Sequence, residues 1–155
     1  MTEQEIRTIL NRQREYFATG ATLSRKFRAE QLGKLKASLQ RHEEELNAAL
    51  QQDLGKSRME SYMCEIGLTL SELTWMQKHL RGLMQEKRVP TPLSQFAAIS
   101  FRSPSPYGTV LIMSPWNYPV LLTLDPLIDA IAAGNTAVVK PSAYAPCTFD
   151  VMKTM

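Results

Sequence analysis

The sequence has 155 residues, of which 44% are hydrophobic and 21% charged, and this composition is typical of one soluble globular domain, with or without an appendage. The net charge of +3 is small, and lysine and arginine are interspersed with glutamate along the predicted helices. Because no basic run carries interleaved aromatic residues, a nucleic-acid partner is not predicted.

The sequence also lacks the patterns of a membrane span, a secretion signal or a metal site. No run of about 18 apolar residues occurs, and the polar start M-T-E-Q-E-I-R has no apolar signal core. We therefore expect a cytoplasmic location. Cys64 and Cys147 lie outside any C-x-x-C pair, and neither His42 nor His79 has a ligand partner at metal spacing. We expect two structural thiols, two surface histidines and no bound metal.

Residues 1–88 are predicted to form an N-terminal helical segment. Thr2 followed by Glu5 is a candidate capping box, and Gly55 is a candidate helix C-cap. Three amphipathic stripes run through this segment, and such stripes are typical of a packed core rather than of a cofactor site. No chemistry is predicted here.

Residues 89–107 are predicted to be a connector between two parts of the chain. Four prolines and several serines interrupt the helical periodicity. Between the prolines, the short apolar run from Phe96 to Arg102 is predicted to be a strand. Prolines at both ends favour an edge strand over a central one.

Residues 108–155 have the alternating pattern of strand and helix. Thr109–Met113 and Thr136–Lys140 are continuous apolar runs, typical of strands buried on both faces of a parallel sheet. The helix between them is predicted to begin at Pro126, after an Asp125 cap, and a further helix is predicted near the end of the chain.

The intervening helix is predicted to end at Gly134, so the segment has the size and order of a βαβ unit with a right-handed crossover. Two parallel strands cannot form a buried sheet without neighbours. The predicted fold class is therefore α/β: N-terminal helices followed by the first βαβ unit of a doubly wound, Rossmann-like parallel sheet that is incomplete. On this prediction, residues 108–155 are the truncated start of a nucleotide-binding domain.

Two loops are predicted to meet at the carboxyl edge of this sheet, where ligands bind in open parallel sheets. The loop S-P-W-N-Y-P follows the first strand, and the residues from Lys140 to Ser142 follow the second. One loop supplies an amide and two aromatic rings, and the other supplies an ammonium and a hydroxyl.

Asn117 lies between two prolines that restrict the backbone around it. Pro115 and Pro119 fix their own φ and limit the residue before each of them. The Asn117 amide could therefore be aimed in advance at a developing oxyanion, where a single donor is typically worth about 3–4 kcal/mol. The alternative is that Asn117 only caps or turns the backbone, as asparagine often does.

The stretch P-W-N-Y-P, followed by D-P-L-I-D-A-I-A-A-G-N-T-A-V-V-K-P-S, resembles the amino-terminal portion of the NAD(P)-dependent aldehyde dehydrogenases. The stretches D-L-G-K and K-R-V-P-T-P-L look most like the fatty-aldehyde, class 3-like branch. The resemblance covers essentially the whole chain. It implies oxidation of an aldehyde to a carboxylic acid through a cysteine thioester, with NAD or NADP as cofactor.

The resemblance also assigns roles to residues at the two loops. Asn117 matches the asparagine that holds the tetrahedral oxyanion, Lys140 matches the lysine that bonds the adenosine ribose, and Tyr118 is expected to line the aldehyde tunnel. The strand near Phe96 would belong to an oligomerisation arm, which implies a homo-oligomer, a dimer, at full length. The expected cofactor-binding residues are Met113, Ser114, Trp116, Lys140 and Ser142.

The sequence departs from the family pattern in two ways. Ala143 stands where members with K-P-S-E have a ribose-binding glutamate, which predicts a weaker preference for NAD over NADP. The family's nucleophilic cysteine, base glutamate and glycine turn are absent, and neither Cys64 nor Cys147 has the nucleophile's context.

The 155-residue piece alone is therefore expected to be inactive, and its unfinished sheet is expected to aggregate or need a partner. Two alternatives stay open: a noncatalytic remnant or interaction protein, and an acyl-CoA or acyl-phosphate reductase of the same superfamily.

Overall fold

The computed structural model describes residues 2–155, which combine helices with two small sheets. The α-helices of this part of the chain are α1 (Glu3–Ala18), α2 (Arg25–Arg41), α3 (Glu43–Leu54), α4 (Arg58–Ser61), α5 (Gly67–Leu83), α6 (Leu121–Ala133) and α7 (Pro146–Thr154). The strands are β1 (Lys87–Val89), β2 (Ser100–Arg102), β3 (Thr109–Met113) and β4 (Thr136–Lys140). Short 3₁₀ turns cover Ala21–Leu23 and Leu93–Gln95, and a π turn covers Tyr62–Ile66.

Local capping signals place several helix ends where the sequence predicts them. Thr2 Oγ1 accepts a hydrogen bond from the Glu5 amide at 3.3 Å, and the Glu5 carboxylate accepts from the Thr2 amide at 2.6 Å. Gly55 ends α3 with φ of 69°, and Gly134 ends α6 with φ of 88°. Both lie in the left-handed region that glycine adopts most readily.

The hydrophobic core joins α2, α3, α5 and α6, so two of the three predicted apolar stripes are confirmed as core. Burying one such side chain contributes about 1.5–3 kcal/mol. The stripe on α1 is different, because that helix has no buried residue and Ile6 is 52% exposed. The fully buried apolar side chains of this core are Leu32, Leu39, Leu46, Leu50, Ile66, Leu73, Val120 and Ile128.

Strands β3 and β4 form the predicted parallel pair. Their register runs from Thr109 opposite Thr136 to Met113 opposite Lys140. Helices α1 and α6 both pack against the two strands, and α6 also packs against α2 and α5. Leu111 on β3 is 62% exposed. The result is an incomplete α/β arrangement in which α6 links the helical core to the sheet.

The connector differs from its prediction. Lys87–Val89 is strand β1 rather than the end of a helix, and it pairs antiparallel with β2. Only Ser100–Arg102 of the predicted strand forms, because Leu93–Gln95 is a 3₁₀ turn and Ala97 has a positive φ of 77° that breaks an extended chain. The strand pairs as a hairpin edge, consistent with its flanking prolines.

The predicted start of α6 is wrong. The helix begins at Leu121, and Pro126 lies inside it. No local side chain caps this end; instead the distant Glu65 carboxylate accepts hydrogen bonds from the Val120 and Leu121 amides. Because these N–H groups are satisfied from outside, the helix starts earlier than the local Asp125–Pro126 signal indicates.

Neither membrane-spanning nor metal-binding features occur among residues 2–155. No helix there is long and apolar enough to cross a bilayer. No group of three or more histidine, cysteine, aspartate or glutamate side chains there is arranged to hold a metal ion.

Candidate functional site

The two loops predicted to meet do leave the sheet side by side. Met113 and Lys140 are paired at the carboxyl ends of β3 and β4. The pairing extends one residue further, because the Ser114 amide donates to the Lys140 carbonyl at 3.3 Å. The loop 114–119 and the loop after Lys140 therefore start from the same edge.

Most of the candidate ligand-binding side chains at this edge are open to solvent. Met113 is 66% exposed, Trp116 52% and Tyr118 38%, while Asn117 and Lys140 are also exposed. Exposed aromatic rings, an amide and an ammonium on one edge could contact a ligand without rearrangement of the core.

Ser114 and Ser142 are less available than the other candidates. Ser114 is buried, and its Oγ is hydrogen-bonded to Thr123 Oγ1 of α6 at 2.6 Å. Its hydroxyl therefore ties the loop to α6, and only its backbone remains for a cofactor. The half-buried Ser142 Oγ accepts from the Tyr144 amide at 3.2 Å, which leaves its hydroxyl proton for a ligand.

Lys56 anchors the loop from the helical segment. Its ammonium donates to the Asn117 carbonyl at 2.8 Å and to Glu65 Oε1 at 2.6 Å. The same nitrogen lies 4.0 Å from the centroid of the Tyr118 ring, within cation–π range. Because Lys56 is only 7% exposed, these contacts hold the Asn117 backbone from the protein side.

Glu65 completes this anchor at the other end of the loop. Its side chain is fully buried, and Oε2 accepts from the Val120 amide at 2.7 Å and from the Leu121 amide at 3.3 Å. A carboxylate at the start of α6 also interacts favourably with the positive end of the helix dipole. One buried ion pair, Lys56–Glu65, therefore fixes the loop at Asn117 and again at Val120.

The π turn and a glycine shape the helix that carries Glu65. A Cβ on Gly67 would lie 2.7 Å from the Tyr62 carbonyl oxygen, which is backbone and cannot move aside easily. The close approach requires glycine, although its φ of −65° is ordinary. π turns of this kind are frequent at functional sites.

Asp53, near the end of α3, connects the N-terminal helical segment to α7. Its Oδ1 accepts from the Cys147 amide at 3.1 Å, and its Oδ2 accepts from the Thr148 amide at 2.7 Å and hydroxyl at 2.8 Å. Burial alone would raise the pKa of Asp53, but the hydrogen bonds from Thr148 and Cys147 outweigh it and hold the pKa below its ordinary value. The stretch D-L-G-K thus contacts the start of α7 through Asp53 and the loop 114–119 through Lys56.

Neither cysteine has the environment of an activated nucleophile. The pKa of the Cys147 thiol is raised above its ordinary value, mainly by a hydrogen bond to Asp53 and secondly by burial. A raised pKa lowers the thiolate fraction on which nucleophilicity depends. Cys64 is half-buried on the π turn.

A family model described as the aldehyde dehydrogenase family matches residues 1–154. The chain belongs to the aldehyde dehydrogenase family. It is 44% identical over 140 residues to 4,4'-diaponeurosporen-aldehyde dehydrogenase of Staphylococcus aureus, covering 90% of this chain and 30% of that relative. It is 45% identical over 133 residues to human aldehyde dehydrogenase family 3 member B1, covering 86% of this chain and 28% of that relative.

Solved structures agree with this assignment of the aldehyde dehydrogenase segment. A substrate-bound state of Staphylococcus aureus AldH superposes with a TM-score of 0.94 at 42% identity, covering 96% of this chain and 32% of that chain. Glyceraldehyde-3-phosphate dehydrogenase GapN of Methanocaldococcus jannaschii, in complex with NADP, shares the fold with a TM-score of 0.84 at 21% identity, covering 99% and 32%. The chain therefore spans about 30% of the length of the curated relatives it matches.

Sequence reasoning missed the residues of this aldehyde dehydrogenase segment that hold the loop. The sequence predicts only a packed helical core for residues 1–88, and it does not predict that Lys56 and Glu65 bind the loop backbone directly. A lysine and a glutamate in otherwise amphipathic helical sequence look like surface residues. The stretch D-L-G-K, which contains Lys56, is the part of the sequence that could have pointed to this contact.

Proposed function

We propose that this chain supplies the oxyanion donor and part of the NAD(P)-binding edge of an enzyme that oxidises an aldehyde to a carboxylic acid. The observation that carries the proposal is the anchored loop: Asn117 is exposed beside the carboxyl ends of two parallel strands while Lys56 holds its backbone. The amide can meet a ligand without first being ordered, as electrostatic preorganisation requires.

The amide acts when the aldehyde carbonyl becomes tetrahedral. A cysteine thiolate, which this chain does not supply, forms a C–S bond, and the carbonyl π electrons move to oxygen. The Asn117 NH₂ donates to that oxyanion and lowers its energy more than that of the ground-state carbonyl. The C=O bond re-forms as a hydride leaves, and hydrolysis of the resulting thioester releases the acid.

The carboxyl edge suits a dinucleotide. Lys140 offers an exposed ammonium that forms no ion pair within residues 2–155, and Ser142 offers a hydroxyl donor. Met113 and Trp116 add exposed apolar surface next to them, and Ser114 adds backbone. NAD or NADP bound there would supply the hydride acceptor, and we expect Tyr118, which is 38% exposed, to line the aldehyde side of the loop.

The proposed preference between the two cofactors follows from Ala143. A charge-assisted hydrogen bond is worth about 1.5–3 kcal/mol, so the absence of a ribose-binding carboxylate removes about ten- to a hundredfold of NAD selectivity. Titration of both cofactors into an active chimera is the measurement. A preference for NAD above about a hundredfold contradicts this part of the proposal.

A chimera tests the function itself. Residues 1–155 replace the corresponding segment of the Staphylococcus aureus relative, and NAD(P)H formation from an aldehyde is followed by absorbance. We expect turnover from the chimera, none from residues 1–155 alone, and a loss of about 10²–10³ in kcat on Asn117→Ala. Turnover by the chain alone, or an unchanged kcat in Asn117→Ala, contradicts the proposal.

The arm formed by β1 and β2 supports a further part of the proposal, a homo-oligomer. Its apolar side chains are unusually exposed: Leu93 is 87%, Phe96 88% and Ile99 64% exposed. A second copy of the chain would cover them. Sedimentation of the chimera with Phe96→Ser is expected to show a smaller species than the parent. The predicted cytoplasmic location belongs to the same proposal and is tested by cell fractionation.

A further inference from the structure

The buried ion pair Lys56–Glu65 makes polar contacts that end on one loop. Lys56 Nζ donates to the Asn117 carbonyl at 2.8 Å, and Glu65 Oε2 accepts from the Val120 amide at 2.7 Å. We propose that this pair is a positioning pair, which sets the orientation of Asn117 and thereby the rate of the chemical step. The inference rests on the proposed function, since the pair acts only through Asn117.

Burial rules out direct participation by either side chain. The Lys56 side chain is 8% exposed and that of Glu65 is 0% exposed, so neither can reach a bound aldehyde or nucleotide. Lys56 contacts the backbone of Asn117, not its amide. The carboxamide therefore remains available for substrate while the peptide that carries it is fixed.

Stability of the fold alone does not explain why the charged side chains Lys56 and Glu65 occupy this buried position. Two buried charges lose their hydration, and well-packed apolar side chains of similar volume often stabilise a fold as well or better. Here the charges supply what apolar side chains lack: an ammonium donor at Asn117 and a carboxylate acceptor at Val120 and Leu121. The pair bridges the loop from its asparagine to the first turn of α6.

The positions of the anchoring contacts explain how the ion pair sets the direction of the loop. The prolines restrict the loop locally, but they do not set its angle to the sheet. The bridge adds fixed points at Asn117 and Val120, and the Ser114–Thr123 hydrogen bond of 2.6 Å adds a third. Misplacement of a catalytic group by about 1 Å can cost about a hundredfold in rate.

The first experiment measures turnover of the chimera with Lys56→Met. We expect kcat to fall about ten- to a hundredfold, with KM for aldehyde and Kd for NADP changed by less than about twofold. The matched control is Lys34→Met, which removes the lysine of an exposed ion pair with Glu30 and is expected to leave kcat unchanged. A fall in affinity with kcat intact contradicts the inference.

A double-mutant cycle separates positioning from general damage. In an Asn117→Ala background, Lys56→Met is expected to cost less than about threefold, because the group that it positions is already gone. Losses that multiply contradict the inference and leave the proposed function standing. If instead Asn117→Ala alone leaves kcat unchanged, the proposed function fails first.

Loss of one partner can unfold a protein, so a second variant removes both charges. Lys56→Met with Glu65→Gln keeps an amide acceptor near Val120 and leaves no unpaired ion. We expect this variant to fold and still to lose at least about tenfold in kcat. Wild-type kcat in the folded double variant overturns the inference.

Amide exchange on the folded chimera tests the contact without any turnover. Glu65→Gln is expected to speed exchange of the Val120 and Leu121 amides, whereas the matched Glu30→Gln is expected to leave them unchanged. Unchanged exchange at both amides in Glu65→Gln contradicts the bridge, whatever the activity of the chimera.

Discussion

The two ends of α6 are both held by charged side chains from distant parts of the chain, but the two ends are used differently. At the amino end, Glu65 accepts from the Val120 and Leu121 amides. At the carboxyl end, Arg28 donates to the Ala132 carbonyl at 3.0 Å and to the Thr22 carbonyl at 2.9 Å.

Each charged side chain interacts favourably with the partial charge of the helix dipole at the end that it faces. Glu65 is linked through Lys56 to the loop that carries Asn117, whereas the Arg28 contacts end on backbone in the helical core. On the proposed role of the Lys56–Glu65 pair, one end of α6 orients a site, whereas the other end only holds the helix against the core. Substitutions at the two ends should therefore differ in their effects.

Loss of the amino-end charge should be the most damaging change. Glu65→Leu leaves the Lys56 ammonium buried without its counter-ion and removes the acceptor of two helix amides. We expect unfolding of the chain to become easier by about 3–5 kcal/mol, measured by urea denaturation. Replacing Lys56 and Glu65 together should recover much of this loss, and a double variant as unstable as the single one would falsify the assignment to an unpaired charge.

The carboxyl end depends on Gly134. A Cβ there would lie 2.6 Å from Arg28 Cζ, and the φ of 88° is strained for any other residue. We expect Gly134→Ala to cost about 2–3 kcal/mol and to weaken the Arg28 bond to Ala132.

Gly55→Ala is the matched control for Gly134→Ala. Gly55 has a similar φ of 69° but nothing within 4 Å of an added Cβ, so only the backbone strain of about 1–2 kcal/mol applies. Equal losses in the two variants, measured by thermal unfolding, would show that the Arg28 contact adds nothing to the strain.

The middle of α6 carries a titrating carboxylate. Burial, followed by repulsion from Glu72 and Asp129, raises the pKa of Asp125 to about 6. Because the folded state holds this proton more tightly than the unfolded state, stability falls as pH rises from about 4 through 6.

Asp125→Asn should remove that loss. We expect the variant to gain about 1 kcal/mol at pH 8, after allowance for solvent screening, and nothing at pH 4. Thermal unfolding of parent and variant across this range is the measurement. A gain that is independent of pH contradicts ionisation as its cause.

The smallest effect is expected at an exposed pair. Glu30 lies 2.8 Å from Lys34, and both side chains are more than half exposed. Glu30→Gln should change stability by less than about 0.5 kcal/mol, as measured by urea denaturation. A loss comparable with that of Glu65→Leu would remove the distinction between the buried bridge and ordinary surface pairs.

The sequence could predict what is set by neighbours along the chain. The glycine caps at Gly55 and Gly134, both parallel strands and the meeting of their loops follow from local patterns and sheet geometry. The start of α6 could not be predicted, because its cap, Glu65, lies 55 residues away from Val120.

The same reason explains the other failures. Lys87–Val89 is a strand only because β2 returns to pair with it, and the π turn reflects a close backbone approach at Gly67. The position of Asn117 and Lys140 at one edge of the sheet follows from the sequence, but the contact of Lys56 with this edge does not, since it reaches the Asn117 carbonyl from a segment 61 residues earlier in the chain.

The π turn has a consequence for how this segment tolerates changes of length. From Arg58 to Leu83 the helical path is continuous, and the π turn at Tyr62–Ile66 accommodates its surplus residue. Deleting one residue there would let a regular helix form, with no obvious penalty to its own hydrogen bonds. The helix on either side of the turn would keep its facing, because the turn absorbs the surplus residue locally. The change would fall instead on Glu65, which lies inside the turn, so a shorter and more regular helix would lose the carboxylate that anchors a loop more than fifty residues downstream.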